Sequence, residues 1–204
     1  MNNAHNLSRI DSKFLMSAPN LKQCPAPEKT EVAFAGRSNA GKSSVLNQVT
    51  GNKSLAKVSK TPGRTQMINF FEANIGGLLV DLPGYGYAKA AKTKIKTFQK
   101  IIKSYFTHRK QLISAFVLID IRHIPQKLDL NFMYWLGEKK IPFSIIFTKC
   151  DKIKFIEIDS KINNYLDEMS KQWSSLPKYF VSSASRKTGI NEILGYINKM
   201  NNLN

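Results

Sequence analysis

The chain has 204 residues, with 31 Lys and Arg against 14 Asp and Glu and a formal net charge of +17. That length suits one α/β domain with an ample core, and no apolar run reaches the length of a membrane-spanning helix. Cys24 and Cys150 lack metal-ligand spacing and Met1 to Asn20 lacks a signal-peptide core, so a reduced, cytoplasmic protein is expected.

Pro25-Ala26-Pro27 separates an N-terminal arm, residues 1–27, from a domain over 28–204; the arm is expected to pack on or flank the core. The first core strand is the apolar run at 31–35. It leads into Gly36-Arg37-Ser38-Asn39-Ala40-Gly41-Lys42-Ser43, a phosphate-loop pattern. A helix over 42–50 follows, and Gly51-Asn52 stops it. A loop between a strand and a helix N-terminus presents N–H groups and the positive end of the helix dipole to an anion. Lys42 is placed to reach the β and γ oxygens of a nucleotide, and the Ser43 hydroxyl to hold Mg²⁺.

Next comes Lys60-Thr61-Pro62-Gly63-Arg64-Thr65-Gln66, a Pro-Gly turn before an amphipathic strand at 67–73. A threonine here can ligate Mg²⁺ only while the γ-phosphate is present, as in the first switch of a GTPase. Thr61 and Thr65 are both eligible, and Thr65, directly before the strand, is preferred. The strand at 77–82 ends in Asp81-Leu82-Pro83-Gly84, with Asp81 expected near Mg²⁺ through water and the Gly84 N–H toward the γ-phosphate. Gly76-Gly77 between these two strands suggests a hairpin, hence one antiparallel strand.

The helix at 91–108 and its flank carry the densest positive charge: Lys89, Lys92, Lys94, Lys96, Lys100 and Lys103, followed by Arg109 and Lys110. A strand at 115–121, a helix at 126–138 and a strand at 143–148 lead to Thr148-Lys149-Cys150-Asp151. An aspartate there can accept two hydrogen bonds from guanine N1–H and its 2-amino group, a donor pair adenine lacks. Capping the next helix is its alternative role. A helix at 155–173, a strand at 178–183 ending in Ser182-Ser183-Ala184, and a helix at 189–199 complete the chain. The alternation predicts an α/β fold of the Ras-like phosphate-loop type. Its sheet is mostly parallel and six-stranded, with one antiparallel strand and helices on both faces. The motifs sit at the C-terminal ends of strands, where such sheets bind ligands.

Gly-Arg-Ser-Asn-Ala-Gly-Lys-Ser-Ser, Lys-Thr-Pro-Gly-Arg-Thr-Gln and Asp-Leu-Pro-Gly-Tyr-Gly-Tyr-Ala together resemble the EngB family of bacterial GTPases. That family lies in the translation-factor-related class, among the TrmE-Era-EngA-EngB-Septin-like GTPases. The resemblance implies GTP contacts on Gly36, Arg37, Ser38, Asn39, Ala40, Gly41, Lys42, Ser43 and Ser44. Further contacts fall on Gly63, Arg64, Thr65, Gln66 and Met67, and on Asp81, Leu82, Pro83 and Gly84. The base side falls on Thr148, Lys149, Cys150 and Asp151, with Val181, Ser182 and Ser183. Mg²⁺ falls on Ser43 and Thr65. A GTP-controlled role in maturing the large ribosomal subunit is implied, with a need in normal cell division and septation.

Tyr85 stands where Ras-type enzymes carry the glutamine that orients the attacking water, so slow hydrolysis is expected. The catalytic candidates are Asn39, Thr65 and Gly84; Asn39 either binds an activating K⁺ or satisfies the loop backbone. The charge surplus favours an RNA partner through counterion release. The expected partners are therefore GTP or GDP and the large ribosomal subunit or its precursor, with no membrane, for a monomeric chain. A GTPase acting directly at the division septum through protein partners is the alternative.

Overall fold

The computed structural model describes residues 9–56, 67–86 and 92–201; the side chains of 92–98 are not included. The strands are β1 Ser12–Ala18, β2 Glu31–Gly36, β3 Ile68–Ala73, β4 Leu78–Asp81, β5 Leu112–Asp120, β6 Phe143–Thr148 and β7 Tyr179–Val181. The α-helices are α1 Lys42–Val49, α2 Lys92–His108, α3 Lys127–Glu138, α4 Ile158–Ser170 and α5 Ile190–Asn201.

All seven strands join one sheet in the order β1-β3-β4-β2-β5-β6-β7. β2 pairs in parallel with β4 and β5, and β5-β6 and β6-β7 are also parallel. β3 alone runs against its neighbours, antiparallel to both β4 and β1. The β3–β4 hairpin turns at Gly76, whose φ of 82° is disfavoured for any residue with a Cβ.

The expected count of six strands is corrected to seven by β1, which lies within the N-terminal arm. Its sequence, SKFLMSA, has no period-two apolar pattern, and Phe14 and Leu15 are exposed. Pairing with β3, interrupted between Phe14 and Met16, makes it a strand. That information is tertiary and invisible to local periodicity.

Burial on both faces explains why β2 and β5 read as near-continuous apolar runs. Successive β5 residues point to opposite sides. Val117 and Ile119 join Tyr105, Met133, Leu136, Ile162 and Tyr165 beneath α2, α3 and α4. Phe116 and Leu118 join Val45, Leu46, Ile193 and Leu194 beneath α1 and α5. Each such side chain contributes roughly 1.5–3 kcal/mol when fully buried.

Arg109 leaves the basic surface that the sequence suggested for it. Its guanidinium donates to the fully buried Glu31 carboxylate at the start of β2, with Nε at 3.3 Å from Oε2, and its Nη1 donates to the Pro25 carbonyl at 2.9 Å. Tyr105 Oη donates to the same carboxylate at 2.7 Å. This cluster lies at the N-terminal end of β2, away from the phosphate loop, and ties β2, α2 and the arm together.

Candidate nucleotide site

The phosphate loop spans the C-terminal end of β2 and the start of α1. Gly41 holds φ 96°, a conformation that favours glycine, and packs beside the Thr148 side chain. Lys42 and Ser43 open α1 and are half-buried. Burial lowers the Lys42 ammonium from its usual value, and the Asp81 carboxylate opposes that shift.

Asp81 ends β4 and is buried. Burial raises its carboxyl, against the charge of Lys42 and a hydrogen bond from Asn69. Its Oδ1 has no hydrogen-bond partner among the described residues. Leu82 and Pro83 continue from it as buried backbone, and the Leu82 N–H donates to the Phe34 carbonyl at 3.1 Å. Gly84 then lies against the loop so closely that a Cβ would come within 2.9 Å of Ser38 Cα. The Tyr85 N–H donates to the Gly36 carbonyl at 3.2 Å, and the Ser38 N–H donates to the Tyr85 carbonyl at 3.0 Å. The Asp-x-x-Gly turn is thereby stitched to the phosphate loop through backbone.

The Thr-Lys-x-Asp turn is tied to the same loop by side chains. Thr148 Oγ1 donates to the Ala40 carbonyl at 2.6 Å. Lys149, at φ 62°, donates through Nζ to the Asn39 carbonyl at 2.6 Å and to Asp120 Oδ2 at 2.7 Å. Burial pushes the Asp151 carboxyl up, but hydrogen bonds from Ser183, Ser185 and Lys152 outweigh it and hold it at about 2. Ser183 Oγ lies 2.7 Å from Asp151 Oδ1, and Cys150 N–H donates to the Ser182 carbonyl at 3.3 Å. Val181, at the end of β7, delivers these serines beside the turn. Cys150, between Lys149 and Asp151, is buried.

Of the remaining predicted site residues, Ser44 is half-buried in α1 and Met67 is exposed just before β3. Asn39 is exposed at φ 65° on the loop crest. Gly63, Arg64, Thr65, Gln66 and Lys89 lie outside the described residues. Lys92, Lys94 and Lys96 fall in α2 with side chains outside the description, whereas Lys100 and Lys103 are exposed.

Two constellations escaped sequence reasoning. At the end of β5, Asp120 accepts from Arg122 at 2.9 and 2.7 Å as well as from Lys149. Burial raises its carboxyl, but these partners outweigh burial and hold it well below the usual range. The only local sign was an acidic residue at the C-terminal end of a strand with an arginine two positions on. The second constellation joins Tyr85 to Asp129 of α3 and Tyr165 of α4, three positions remote in sequence. A cavity of about 250 Å³ adjoins the phosphate loop, lined by Arg37, Ser38, Asn39 and Ala40 of the loop and by Asp120, Asp129, Lys149 and Tyr165 among others.

The family described as 50S ribosome-binding GTPase matches residues 31–149, from β2 to the lysine of Thr-Lys-x-Asp. Fold, stitched loops and this match define a phosphate-loop GTPase. The chain is 53% identical over 191 residues to the probable GTP-binding protein EngB of Christiangramia forsetii (strain DSM 17595 / CGMCC 1.15422 / KT0803), covering 94% of this chain and 96% of that one. It belongs to the EngB family of GTP-binding proteins. The crystal structure of a probable GTP-binding protein engB shares the fold, at TM-score 0.69 and 24% identity over 86% of this chain and all of that one. So does Era in complex with MgGDPNP and a segment of 16S ribosomal RNA, at TM-score 0.66 and 21% identity over 84% of this chain and 56% of that one.

Proposed function

We propose that the chain is a nucleotide-controlled switch in large ribosomal subunit assembly, reset by slow Mg²⁺-dependent GTP hydrolysis. In this reading Gly36 to Ser44 cradle the phosphates, Gly84 meets the γ-phosphate, and Asp151 with Ser182 and Ser183 reads guanine. The tying of the Asp-x-x-Gly and Thr-Lys-x-Asp turns onto one loop, with Ser182 and Ser183 tied in turn to residues 150 and 151, carries the reading. The domain over 28–204 acts as one monomeric G domain, and the arm over 1–27 flanks it through β1.

The residues present fit Mg²⁺. Asp81 Oδ1 is a buried acceptor with no partner among the described residues, which a metal-bound water would satisfy. Ser43 would hold the ion directly, with Thr65 from the first switch. Bound there, Mg²⁺ would supply positive charge to offset that of the phosphates. Tyr85 is buried in the core, in keeping with slow hydrolysis unless K⁺ near Asn39 or the ribosomal partner supplies the missing group.

The net charge of +17 supports an RNA target, with Lys100 and Lys103 of α2 among its exposed contacts. The description of the matching family supports the large subunit. No described helix is long and apolar enough to cross a membrane, and a cytoplasmic setting suits a ribosomal partner. Septation defects would follow from faulty ribosomes.

Co-sedimentation with purified ribosomal subunits across a salt series tests the proposal. Retention on large subunits with a non-hydrolysable GTP analogue but not with GDP, lost after ribonuclease treatment, is the expected result. Equal, salt-labile binding to both subunits in either nucleotide state would overturn the ribosomal role.

A further inference from the structure

Tyr85 follows Gly84, and its main chain clasps the phosphate loop on both sides through Gly36 and Ser38. Its side chain is buried, with its ring 4.7 Å from that of Phe132. The phenol is turned toward Asp129, in the first turn of α3. Tyr165, from α4, faces the same carboxyl, and Arg37 contributes positive charge from the phosphate loop. Asp129 and Tyr165 are 3% and 2% exposed. Asp129 Oδ1, Tyr85 Oη and Tyr165 Oη make no close hydrogen bond among the described residues, yet both phenols stand near enough to interact with the Asp129 carboxyl. Leaving such buried groups fully unpaired would cost about 1–3 kcal/mol each, so the three are satisfied best by one another.

We propose that Asp129 is a positioning residue for GTP hydrolysis, acting through Tyr85 to set Gly84 and the phosphate loop. The inference rests on Gly84 as the γ-phosphate contact. An ionised carboxylate accepts hydrogen bonds only, so it can gather both phenol hydroxyls and the Arg37 guanidinium. With the clamp closed, the anchored phenol keeps the Tyr85 main chain in its two hydrogen bonds with Gly36 and Ser38, and Gly84 beside it against the loop. A protonated carboxyl has less acceptor capacity and loosens the clamp.

Burial raises Asp129 to about 6, with Tyr85, Arg37 and Tyr165 each opposing the shift. Across the cavity stand Asp120, neutralised by Arg122 and Lys149, and His123, whose Nε2 lies 3.8 Å from Asp120. The phenols of Tyr85 and Tyr165 are both raised above the usual tyrosine value, chiefly by burial, and remain donors.

The test is single-turnover GTP hydrolysis against pH, with GDP and GTP-analogue affinities, for wild type and for Asp129→Asn, Tyr85→Phe, Gly84→Ala and His123→Gln. Wild-type hydrolysis should fall as pH drops through about 6. Asp129→Asn should lower the rate about 10-fold at neutral pH, flatten the profile and weaken the analogue more than GDP. Tyr85→Phe removes only a hydroxyl, keeps the ring packing and should reproduce the rate loss, whereas His123→Gln should keep both rate and profile. If Asp129→Asn and Tyr85→Phe hydrolyse GTP like wild type while Gly84→Ala loses activity, the positioning role is overturned and the γ-phosphate assignment stands. If Gly84→Ala is also unimpaired, the assignment beneath it falls as well. A pH step that survives Asp129→Asn and vanishes in His123→Gln would overturn it too.

Discussion

At the residue scale, three acidic side chains near the phosphate loop meet opposite fates. Asp120 and Asp151 are held below the usual carboxylate range because cationic and hydroxyl donors outweigh desolvation. Asp129 goes the other way because its neighbours do not compensate burial. Removing Asp120 leaves Lys149 with the Asn39 carbonyl alone among these two acceptors. Asp120→Ala is therefore expected to weaken guanine nucleotides about 10- to 100-fold, the worth of one charged hydrogen bond, with Asp120→Asn retaining part of it; titration calorimetry with GDP checks this. Stability should carry the mark of Asp129. Its folded value of about 6 lies above the ordinary aspartate value of 3.8, so the folded chain binds more protons between those limits. Stability from this group is present at low pH and is lost as pH rises through the folded value. Between about pH 7.5 and 5.5 the wild type should gain about 1 kcal/mol over Asp129→Asn. Urea denaturation at the two pH values measures it, and parallel behaviour of the two proteins would remove the assignment.

At the element scale, the strands and helices of the core were legible because their signals are local. β5 and β6 declare themselves by apolar runs, α1 by the Gly-Lys-Ser that opens it, and the β3–β4 hairpin by Gly76. β1 was not legible, since only its partner β3 makes a strand of Ser12–Ala18. The Arg109–Glu31 pair was equally hidden. A basic residue after a lysine-rich helix reads as surface, yet the guanidinium and carboxylate are 8% and 0% exposed. Breaking such a pair strands a buried charge. Arg109→Met should destabilise the fold by about 3–5 kcal/mol and leave GDP affinity of the folded protein unchanged. Thermal melts with and without nucleotide separate the two effects, because the cluster lies at the opposite end of β2 from the loop.

At the scale of the whole molecule, a net charge of +17 predicts long-range attraction to a polyanion. If several lysines neutralise RNA phosphates, log K should fall linearly with log salt, with a slope of about −0.7 to −0.9 per contact. Replacing Lys100 and Lys103 together should shallow that slope by about 1.5 without changing GDP affinity; filter binding to ribosomal RNA across a salt series reads it. An unchanged slope would place the RNA face elsewhere on the chain.

The sequence by itself determined the fold class and the order along the chain of the motifs proposed to contact phosphate and base. These are encoded in short contiguous patterns where a loop must offer N–H groups or a strand must be buried on both faces. Only the tertiary structure decided how the turns are joined, and what stands behind them. Thr148 reaches Ala40 and Lys149 reaches Asn39 and Asp120, while Tyr85, Asp129 and Tyr165 meet from three different elements. Contacts between residues so far apart in the chain depend on sheet order and helix placement, and no local pattern carries that information.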